Sequence, residues 1–328
     1  MSEPHTEPEN IIDFLVNKES VPIIDVSKWD DPKVAESICE AATKWGFFQI
    51  INHGVPLDVL ENVKRAAHDF FELLVEERRK YLKENSPTHT VMLTTSFNPL
   101  AEKVLEWKNN LVHFVGQENN EHFKLWPPVS REQVLEYMNW LKPIIRKLLE
   151  ALLNGINVKP IDEVKESALM GSSAVTLLYS PKCPNPDLAA GAGPHSDISS
   201  ITILLQDDVG GLYIRMSEGD KWIHVTPIKG SLVVNIGDVL QILSNDRYKS
   251  VEHRVFVNGN KDRVSVPIFV NPSRDAIIGP LPGVMEPREK PIYKPLLYSI
   301  TSIIFSRKGH DGESNYRLRE NMTYSIIM

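Results

Sequence analysis

The sequence predicts an α+β protein in which helices from the N-terminal half cover a β-rich C-terminal half. Two observations support this fold class. Long N-terminal segments place an apolar residue at every third or fourth position, as amphipathic helices do. From about Ala174 onward, short runs of β-branched and aromatic residues alternate with turn residues, which is typical of an antiparallel sandwich or barrel.

The N-terminal part opens with a strand, a helix and a second strand. Val21–Val26 is an apolar run that favours a strand, and the helix is predicted from Asp31 to Lys44 because Pro32 suits a first turn. Gly46–Ile51 is the second strand, and the next three residues, 52–54, form a turn.

Two longer helices are predicted next, from Leu57 to about Leu82 and from Arg131 to about Leu153. In the second helix, apolar residues form a single stripe: Val134, Met138, Leu141, Ile145, Leu148 and Leu152.

The β-rich half contains seven short strand candidates separated by turn residues. They are Ala174–Tyr179, Ser200–Leu205, Gly211–Arg215, Trp222–Val225, Ser231–Ile236, Ser250–Val257 and Val264–Phe269.

Composition excludes several classes of function. The 36 Lys and Arg residues are outnumbered by 43 Asp and Glu residues, and they form no dense basic block, so we expect neither a nucleic-acid nor a membrane partner. Cys39 and Cys183 are too few for a disulfide framework and lack a zinc-ligand spacing. With no signal-peptide pattern and no apolar run of about 20 residues, we expect a cytoplasmic protein.

Two histidines and one aspartate form a candidate metal site. His195 and Asp197 are two positions apart, so an extended backbone directs both side chains to one face. His253 lies in a Val-rich strand candidate that can return beside them. Two imidazoles and one carboxylate with open positions are typical of non-haem Fe(II) sites. Zinc, or histidines that are simply hydrogen-bonded in the core, are alternatives.

A candidate anion site follows on the next strand. Arg263 and Ser265 alternate onto one face, and a guanidinium can bind a carboxylate through two parallel hydrogen bonds. Alternatively, Arg263 is a surface residue paired with a local acid, such as Asp262 or Asp238.

Together these motifs resemble the plant-type Fe(II)- and 2-oxoglutarate-dependent dioxygenases. The resemblance runs from about Val21 to about Pro295 and keeps the family's order of motifs. The motifs are Val21-Pro-Ile-Ile-Asp25, Gly46-Phe-Phe-Gln-Ile-Ile-Asn-His-Gly-Val55, His195-x-Asp197, His253 and Arg263-x-Ser265.

This resemblance implies a double-stranded β-helix, or jelly roll, flanked by N-terminal helices. The expected parts are an N-terminal helical and mixed region (1–165), a catalytic core (166–295), and a C-terminal helix and tail (296–328). The implied cofactors are Fe(II), 2-oxoglutarate as co-substrate and O₂, with ascorbate as reductant. The family habit implies a monomer that acts on a small molecule.

The resemblance also assigns roles to residues. His195, Asp197 and His253 would bind the iron, and Arg263 and Ser265 would bind the far carboxylate of 2-oxoglutarate. Before the first ligand, relatives commonly carry Asn-Tyr-Tyr-Pro, whose Asn and second Tyr help to hold 2-oxoglutarate. Here the stretch is Leu178-Tyr179-Ser180-Pro181, from which Tyr179 and Ser180 are expected to contribute.

Three aromatic residues are candidate substrate contacts. Phe269 lies an even number of residues after Arg263, so it is expected to face the same interior and to stack on a planar substrate. By resemblance, Trp107 and Phe114 border the substrate pocket. Core packing is the alternative role for all three.

A finer similarity is to the branch that contains feruloyl-CoA 6'-hydroxylases and scopoletin 8-hydroxylases, although Pro194 stands where that branch usually has Arg. It implies hydroxylation of a planar aromatic substrate in plant secondary metabolism, such as a hydroxycinnamoyl-CoA or a coumarin. Alternatives are the same chemistry on an alkaloid, benzoxazinoid or steroid, a non-catalytic ligand-binding homologue, or a zinc hydrolase. The segments that carry this similarity are Tyr81-Leu-Lys-Glu84, Leu105-Glu-Trp-Lys108, Leu205-Gln-Asp207, Gly210-Gly-Leu-Tyr213, Arg247-Tyr-Lys-Ser-Val-Glu-His-Arg254 and Val266-Pro-Ile-Phe-Val-Asn-Pro272.

Overall fold

The computed structural model describes residues 20–94, 106–116, 120–158, 160–216 and 221–300. Its N-terminal half combines helices with four strands. The strands are β1 (Ile23–Asp25), β2 (Phe47–Ile51), β3 (Val91–Thr94) and β4 (Asn109–Val115). The helices are α1 (Pro32–Lys44), α2 (Leu57–Glu72), α3 (Val75–Arg79), α4 (Pro128–Gly155) and α5 (Glu163–Met170).

The C-terminal half is dominated by strands and also contains the short α-helix α6 (Asp238–Leu243). Its strands are β5 (Ser172–Ser180), β6 (Ala190–His195), β7 (Ile201–Gln206), β8 (Leu212–Arg215), β9 (Trp222–His224), β10 (Leu232–Ile236), β11 (His253–Phe256), β12 (Arg263–Asn271), β13 (Ile277–Ile278) and β14 (Leu296–Leu297).

The strands from β5 to β12 form a jelly roll of two facing antiparallel sheets. One sheet has the order β10-β7-β12-β5 and the other has the order β6-β11-β8-β9. Strands β1 and β2 extend the first sheet at one edge, and β4 and β3 extend it at the other, giving eight strands. We call these the large sheet and the small sheet. The arrangement confirms the predicted jelly-roll fold.

Alternation along the strands gives the large sheet two different faces. Its outer face packs against the helices, with Ile203, Val266 and Leu177 in the same core cluster as Leu148 of α4. Its inner face looks toward the small sheet, where a second and smaller cluster joins the two sheets. That cluster contains Phe47, Val233, Leu212, Ile214, Ile223 and Val225.

All seven strand candidates are present, with ends shifted by up to three residues. The helix predicted from Leu57 to Leu82 is interrupted, because α2 ends at Glu72 and α3 begins at Val75. Helix α4 begins three residues earlier than predicted and continues through Pro143.

The predicted C-terminal helix and tail lie mostly outside the described residues, since 301–328 are not described. At the start of that segment, Leu296–Leu297 forms a short strand that pairs with Ile277–Ile278. None of the described helices has the length and apolar character needed to cross a bilayer.

Candidate active site

His195 and His253 are brought together by direct pairing of two strands in the small sheet. His195 ends β6 and His253 begins β11, and the two residues are register partners with ring centroids 4.2 Å apart. Asp197 follows two residues after His195 and is buried. One potential ligand atom from each of the three residues lies within 4.8 Å of the others. The predicted metal ligands therefore converge on one point.

Backbone carbonyls orient both imidazoles. The Nδ1 atom of His195 lies 2.7 Å from the carbonyl oxygen of Gly193, and that of His253 lies 3.2 Å from the carbonyl oxygen of Val251. A ring nitrogen that donates to a carbonyl leaves the other nitrogen as the metal ligand. The two Nε2 atoms lie 3.7 and 3.8 Å from Oδ1 of Asp197, which places three donor atoms around a common centre.

The second oxygen of the Asp197 carboxylate is held by two neighbours on the large sheet. Thr202 donates to Oδ2 from its hydroxyl at 2.6 Å, and Asn235 donates from Nδ2 at 2.8 Å. Burial alone would raise the pKa of Asp197, but His253, His195 and these two hydrogen bonds reverse the shift and lower it. Asp197 is therefore an anion, with Oδ1 directed at the metal position.

Arg263 forms a buried cationic site on the inner face of the large sheet. Its side chain donates from Nε to the carbonyl oxygen of Gly210 at 2.6 Å and from Nη1 to the hydroxyl of Ser265 at 2.8 Å. Burial lowers the pKa of Arg263, and Asp207 partly opposes that shift. Within the described residues, no carboxylate lies within 4.0 Å of the guanidinium. A buried guanidinium without a counter-ion is costly, so the site fits a carboxylate ligand.

Two further polar side chains surround this cationic site. Ser180 on β5 is the register partner of Arg263 and is buried. Gln206 on β7 is the register partner of Ser265. Its Oε1 lies 3.4 Å from Nη2 of Arg263, and its buried Nε2 has no hydrogen-bond partner among the described residues. The site therefore presents several donors to an incoming anion.

Tyr179 is not placed with this group, which corrects its expected role. It is adjacent to Ser180 on β5, so alternation turns its side chain to the outer face of the sheet. There the Tyr179 hydroxyl donates to Oδ2 of Asp262 at 2.8 Å, and its ring stacks on Phe71 with centroids 5.4 Å apart. Burial and the Asp262 hydrogen bond raise the pKa of Tyr179 to about 12.

Phe269 and Phe114 lie on the inner face of the large sheet. They belong to the same row of directly paired residues across the strands as Thr202, which donates to Asp197. Phe269 is the register partner of Thr202 on one side and of Ala174 on the other. Phe114 on β4 is the next residue in this row, because it pairs with Ala174 from the other side. Directly paired residues share a face, so both rings point toward the space between the sheets.

Trp107 is engaged differently. Its indole N–H donates to the carbonyl oxygen of Pro181 at 2.9 Å, and its backbone N–H donates to the carbonyl oxygen of Ala190 at 2.7 Å. The side chain is 40% exposed. Trp107 therefore links the start of β4 to the connection between β5 and β6, and the structure does not bring it into the row of Phe269.

Sequence reasoning missed Thr202, Asn235 and Gln206. Asn235 had a readable signal, because it is the single polar residue in the strand Leu232–Ile236. Gln206 lies in the motif Leu205-Gln-Asp207, but only its register with Ser265 shows that it faces the anion site.

The arrangement provides two imidazoles and one carboxylate around a common centre, together with a buried guanidinium on the inner face of the large sheet. Such a set with open positions is typical of Fe(II) centres that activate oxygen. A zinc hydrolase would need a carboxylate base beside the metal. Glu252, which neighbours His253, instead pairs with Arg215 at 2.7 Å.

Comparison with known proteins agrees with this geometry. Residues 171–272 match the family model of the 2OG-Fe(II) oxygenase superfamily. Residues 21–129 match the model described as "non-haem dioxygenase in morphine synthesis N-terminal".

Similar proteins of named activity extend over almost the whole chain. A bi-functional coumaroyl CoA and feruloyl CoA ortho-hydroxylase of Ipomoea batatas is 56% identical over 299 residues, covering 91% of this chain and 83% of that protein. Feruloyl CoA ortho-hydroxylase 1 of Arabidopsis thaliana is 54% identical over 318 residues, covering 95% of this chain and 88% of that protein.

Among solved structures, JOX2 in complex with 2OG, Fe and JA superposes with a TM-score of 0.78 at 35% sequence identity. The match covers 89% of this chain and 86% of that one. With His195, Asp197 and His253 converging inside a jelly roll, and with these family and sequence matches, the chain belongs to the 2OG-Fe(II) oxygenase superfamily and is an iron- and 2-oxoglutarate-dependent oxidoreductase.

Proposed function

We propose that this enzyme hydroxylates the aromatic ring of a hydroxycinnamoyl-CoA thioester, with a coumarin as the next candidate substrate. The observation that carries the proposal is the 54–56% identity to coumaroyl-CoA and feruloyl-CoA ortho-hydroxylases over more than 90% of the chain. Nothing comparable favours the alkaloid, benzoxazinoid and steroid alternatives.

The placement of the residues supports a role for each of them. His195, Asp197 and His253 would hold the ferrous ion, while the donors around Arg263 would bind the distal carboxylate of 2-oxoglutarate. When bound, the iron would activate O₂, which is the oxidant; one oxygen atom would enter the organic substrate and the other would enter 2-oxoglutarate, which would be oxidised to succinate and CO₂. The protein contributes placement, because a misalignment of about 1 Å can cost about a hundredfold in rate.

The anion site also orients the co-substrate. Arg263 and Ser265 form adjacent donors on β12, and Ser180 and Gln206 flank them on the two neighbouring strands. Several donors fix the direction of a carboxylate more tightly than one charge can. Ser180 thereby takes part of the role that a tyrosine has in relatives, and Leu178 contributes only an apolar wall.

Phe269 and Phe114 form the apolar side of the substrate site. Both belong to the row that includes Thr202, which supports the metal ligand Asp197. Aromatic rings in this position favour stacking with a planar phenylpropanoid and keep water from the reacting carbon.

The test is turnover of feruloyl-CoA and p-coumaroyl-CoA by purified protein with Fe(II), 2-oxoglutarate, ascorbate and O₂. We expect a product heavier by one oxygen atom, formed in equal amount with succinate, as measured by mass spectrometry. His253→Ala is the matched negative control. Succinate without oxygenated thioester would reject this substrate class, and tight 2-oxoglutarate binding without succinate from any substrate would favour the ligand-binding homologue.

We also propose that the enzyme is a cytoplasmic monomer without a nucleic-acid partner. The excess of acidic residues and the lack of a basic block support the last point. The division into an N-terminal region (1–165), a catalytic core (166–295) and a C-terminal segment (296–328) remains the proposed organisation. Light scattering of the purified protein tests the monomer.

A further inference from the structure

Two buried polar atoms on the inner face of the large sheet lack hydrogen-bond partners among the described residues. They are Oδ1 of Asn110 on β4 and Oγ1 of Thr176 on β5. The two residues are 0% and 1% exposed. Buried polar groups are nearly always paired, so each such exception needs a physical reason.

The register between β4 and β5 places these two residues diagonally opposite each other. Asn110 pairs with Leu178, and Thr176 pairs with Val112, so Asn110 and Thr176 are diagonal neighbours on one face. Diagonal residues lie about 7–8 Å apart, with their Cβ atoms somewhat closer, so the two side chains border the same small region of this face. Thr176 is two positions from Ala174, so it lies on the same face, in the row of paired residues next to the row that contains Phe114 and Phe269.

Their position is also distinct from the anion site. Ser265 pairs with Leu178, which lies between it and Asn110, so two strand spacings of about 4.8 Å each separate Asn110 from Ser265. A ligand group bound by Asn110 and Thr176 would therefore lie apart from the carboxylate of 2-oxoglutarate, on the side of the sheet that carries Phe114.

The chemistry of the two atoms selects the kind of group. The Asn110 amide nitrogen donates to Thr94 at 3.4 Å, which leaves its oxygen as an acceptor. Thr176 has a hydroxyl that can donate. If the Asn110 amide is flipped, the Thr94 hydroxyl donates to its oxygen, and the amide nitrogen is then the atom that can donate to a ligand. A hydroxyl satisfies the pair in both orientations, whereas a carboxylate or an ether can only accept.

We infer that Asn110 and Thr176 form a hydroxyl-recognition pair for the phenolic ring of the substrate. This inference rests on the proposed function and adds to it, because the pair selects hydroxylated rings over unsubstituted rings. Sites that hydrogen-bond a substrate hydroxyl discriminate strongly against analogues without it, since the buried polar groups are then left unpaired.

The test compares p-coumaroyl-CoA with cinnamoyl-CoA, which lacks the ring hydroxyl. Binding is measured by anaerobic calorimetry on protein loaded with Fe(II) and 2-oxoglutarate. For wild type we expect at least about tenfold tighter binding of p-coumaroyl-CoA. Asn110→Leu and Thr176→Val should each remove most of this preference, leave the cinnamoyl-CoA affinity within about threefold and leave 2-oxoglutarate affinity unchanged.

Control variants separate recognition from folding. Thr176→Ser keeps a hydroxyl and should keep the preference. Val112→Ala removes an apolar group from the same face and should weaken both thioesters equally. Equal losses for both thioesters in Asn110→Leu and Thr176→Val, or an unchanged preference, would overturn the inference.

A second ligand pair keeps the inference testable if the thioesters are not substrates. Umbelliferone carries a ring hydroxyl, and its 7-methyl ether does not donate. Failure of wild type to bind either thioester rejects the proposed substrate, while selective loss of umbelliferone binding in Thr176→Val still supports the hydroxyl pair. Equal binding of the two coumarins to wild type and variant refutes the pair as well.

Discussion

Replacing Arg263 by methionine would remove the buried guanidinium that faces Ser265 and Gln206, and we expect it to weaken 2-oxoglutarate binding severely. Truncating one partner of a buried, hydrogen-bonded charge pair costs about 2–5 kcal/mol. Since 1.4 kcal/mol corresponds to a factor of ten, the Kd should rise by about 30-fold to about 4,000-fold. Arg263→Lys keeps the charge but loses the planar fork, so its effect should be intermediate.

The same substitution should have little effect on stability without the co-substrate. Arg263→Met leaves the carbonyl of Gly210 without its donor, a loss of about 1–3 kcal/mol. It also removes a buried cation that has no carboxylate within 4.0 Å in the described structure, and the relief of that desolvation cost offsets the loss. The free energy of unfolding should therefore fall by no more than about 1 kcal/mol.

Anaerobic calorimetry with Fe(II) present measures the Kd of 2-oxoglutarate, and chemical denaturation measures stability. A 2-oxoglutarate concentration that just saturates wild type should raise the Tm of wild type clearly more than that of Arg263→Met. Arg247→Met, which disrupts an ion pair with Glu289 and removes none of the donors around Arg263, is the control and should bind 2-oxoglutarate normally. A Kd raised by less than about fivefold, or an equal loss of thioester affinity, would refute the assignment.

Three other predictions concern the metal site and the ion pair between Arg247 and Glu289. Asp197→Ala and His253→Ala should each abolish turnover and iron binding in a metal titration, because each removes one of three ligands; undiminished activity in either would reject the triad. Thr202→Val should lower iron affinity by about 10–100-fold, with recovery in Thr202→Ser, and an unchanged affinity would contradict its support of Asp197. The Arg247 hydrogen bond, followed by those of Glu286 and Asn245, lowers the pKa of Glu289 from 4.5 to about 2, so its stabilisation is complete above pH 4.5 and is lost as the pH falls toward 2. As the pH falls from 4.5 to 2, denaturant titrations should show a larger loss of stability in wild type than in Glu289→Gln. An equal loss in both proteins would contradict a stabilising role for the Arg247–Glu289 pair.

The strands of the jelly roll were predictable where composition and alternation agreed. The strand β6 was missed, because Ala-Gly-Ala-Gly-Pro-His has little β-propensity and its pairing with β11 supplies the order instead. The gap between α2 and α3 has no Gly or Pro to announce it, since Leu73 and Leu74 continue the apolar pattern. Tertiary packing decided both cases.

The site was predictable to the extent that it depends on alternation within a strand. His195 with Asp197, and Arg263 with Ser265, follow from even spacing alone. Asn110 and Thr176 could not be found in this way, because their proximity depends on the register between β4 and β5. Tyr179 was placed by resemblance to a motif, although its own alternation with Ser180 already pointed it outward.

His195 and His253 are directly paired between β6 and β11. The geometry of the iron site therefore depends on the register of these two strands. A displacement of β11 by one residue would send an imidazole to the far side of the sheet. Iron uptake during refolding is therefore a direct readout of native strand alignment. A variant that keeps all three ligands and still fails to load iron should be examined first for a slipped strand.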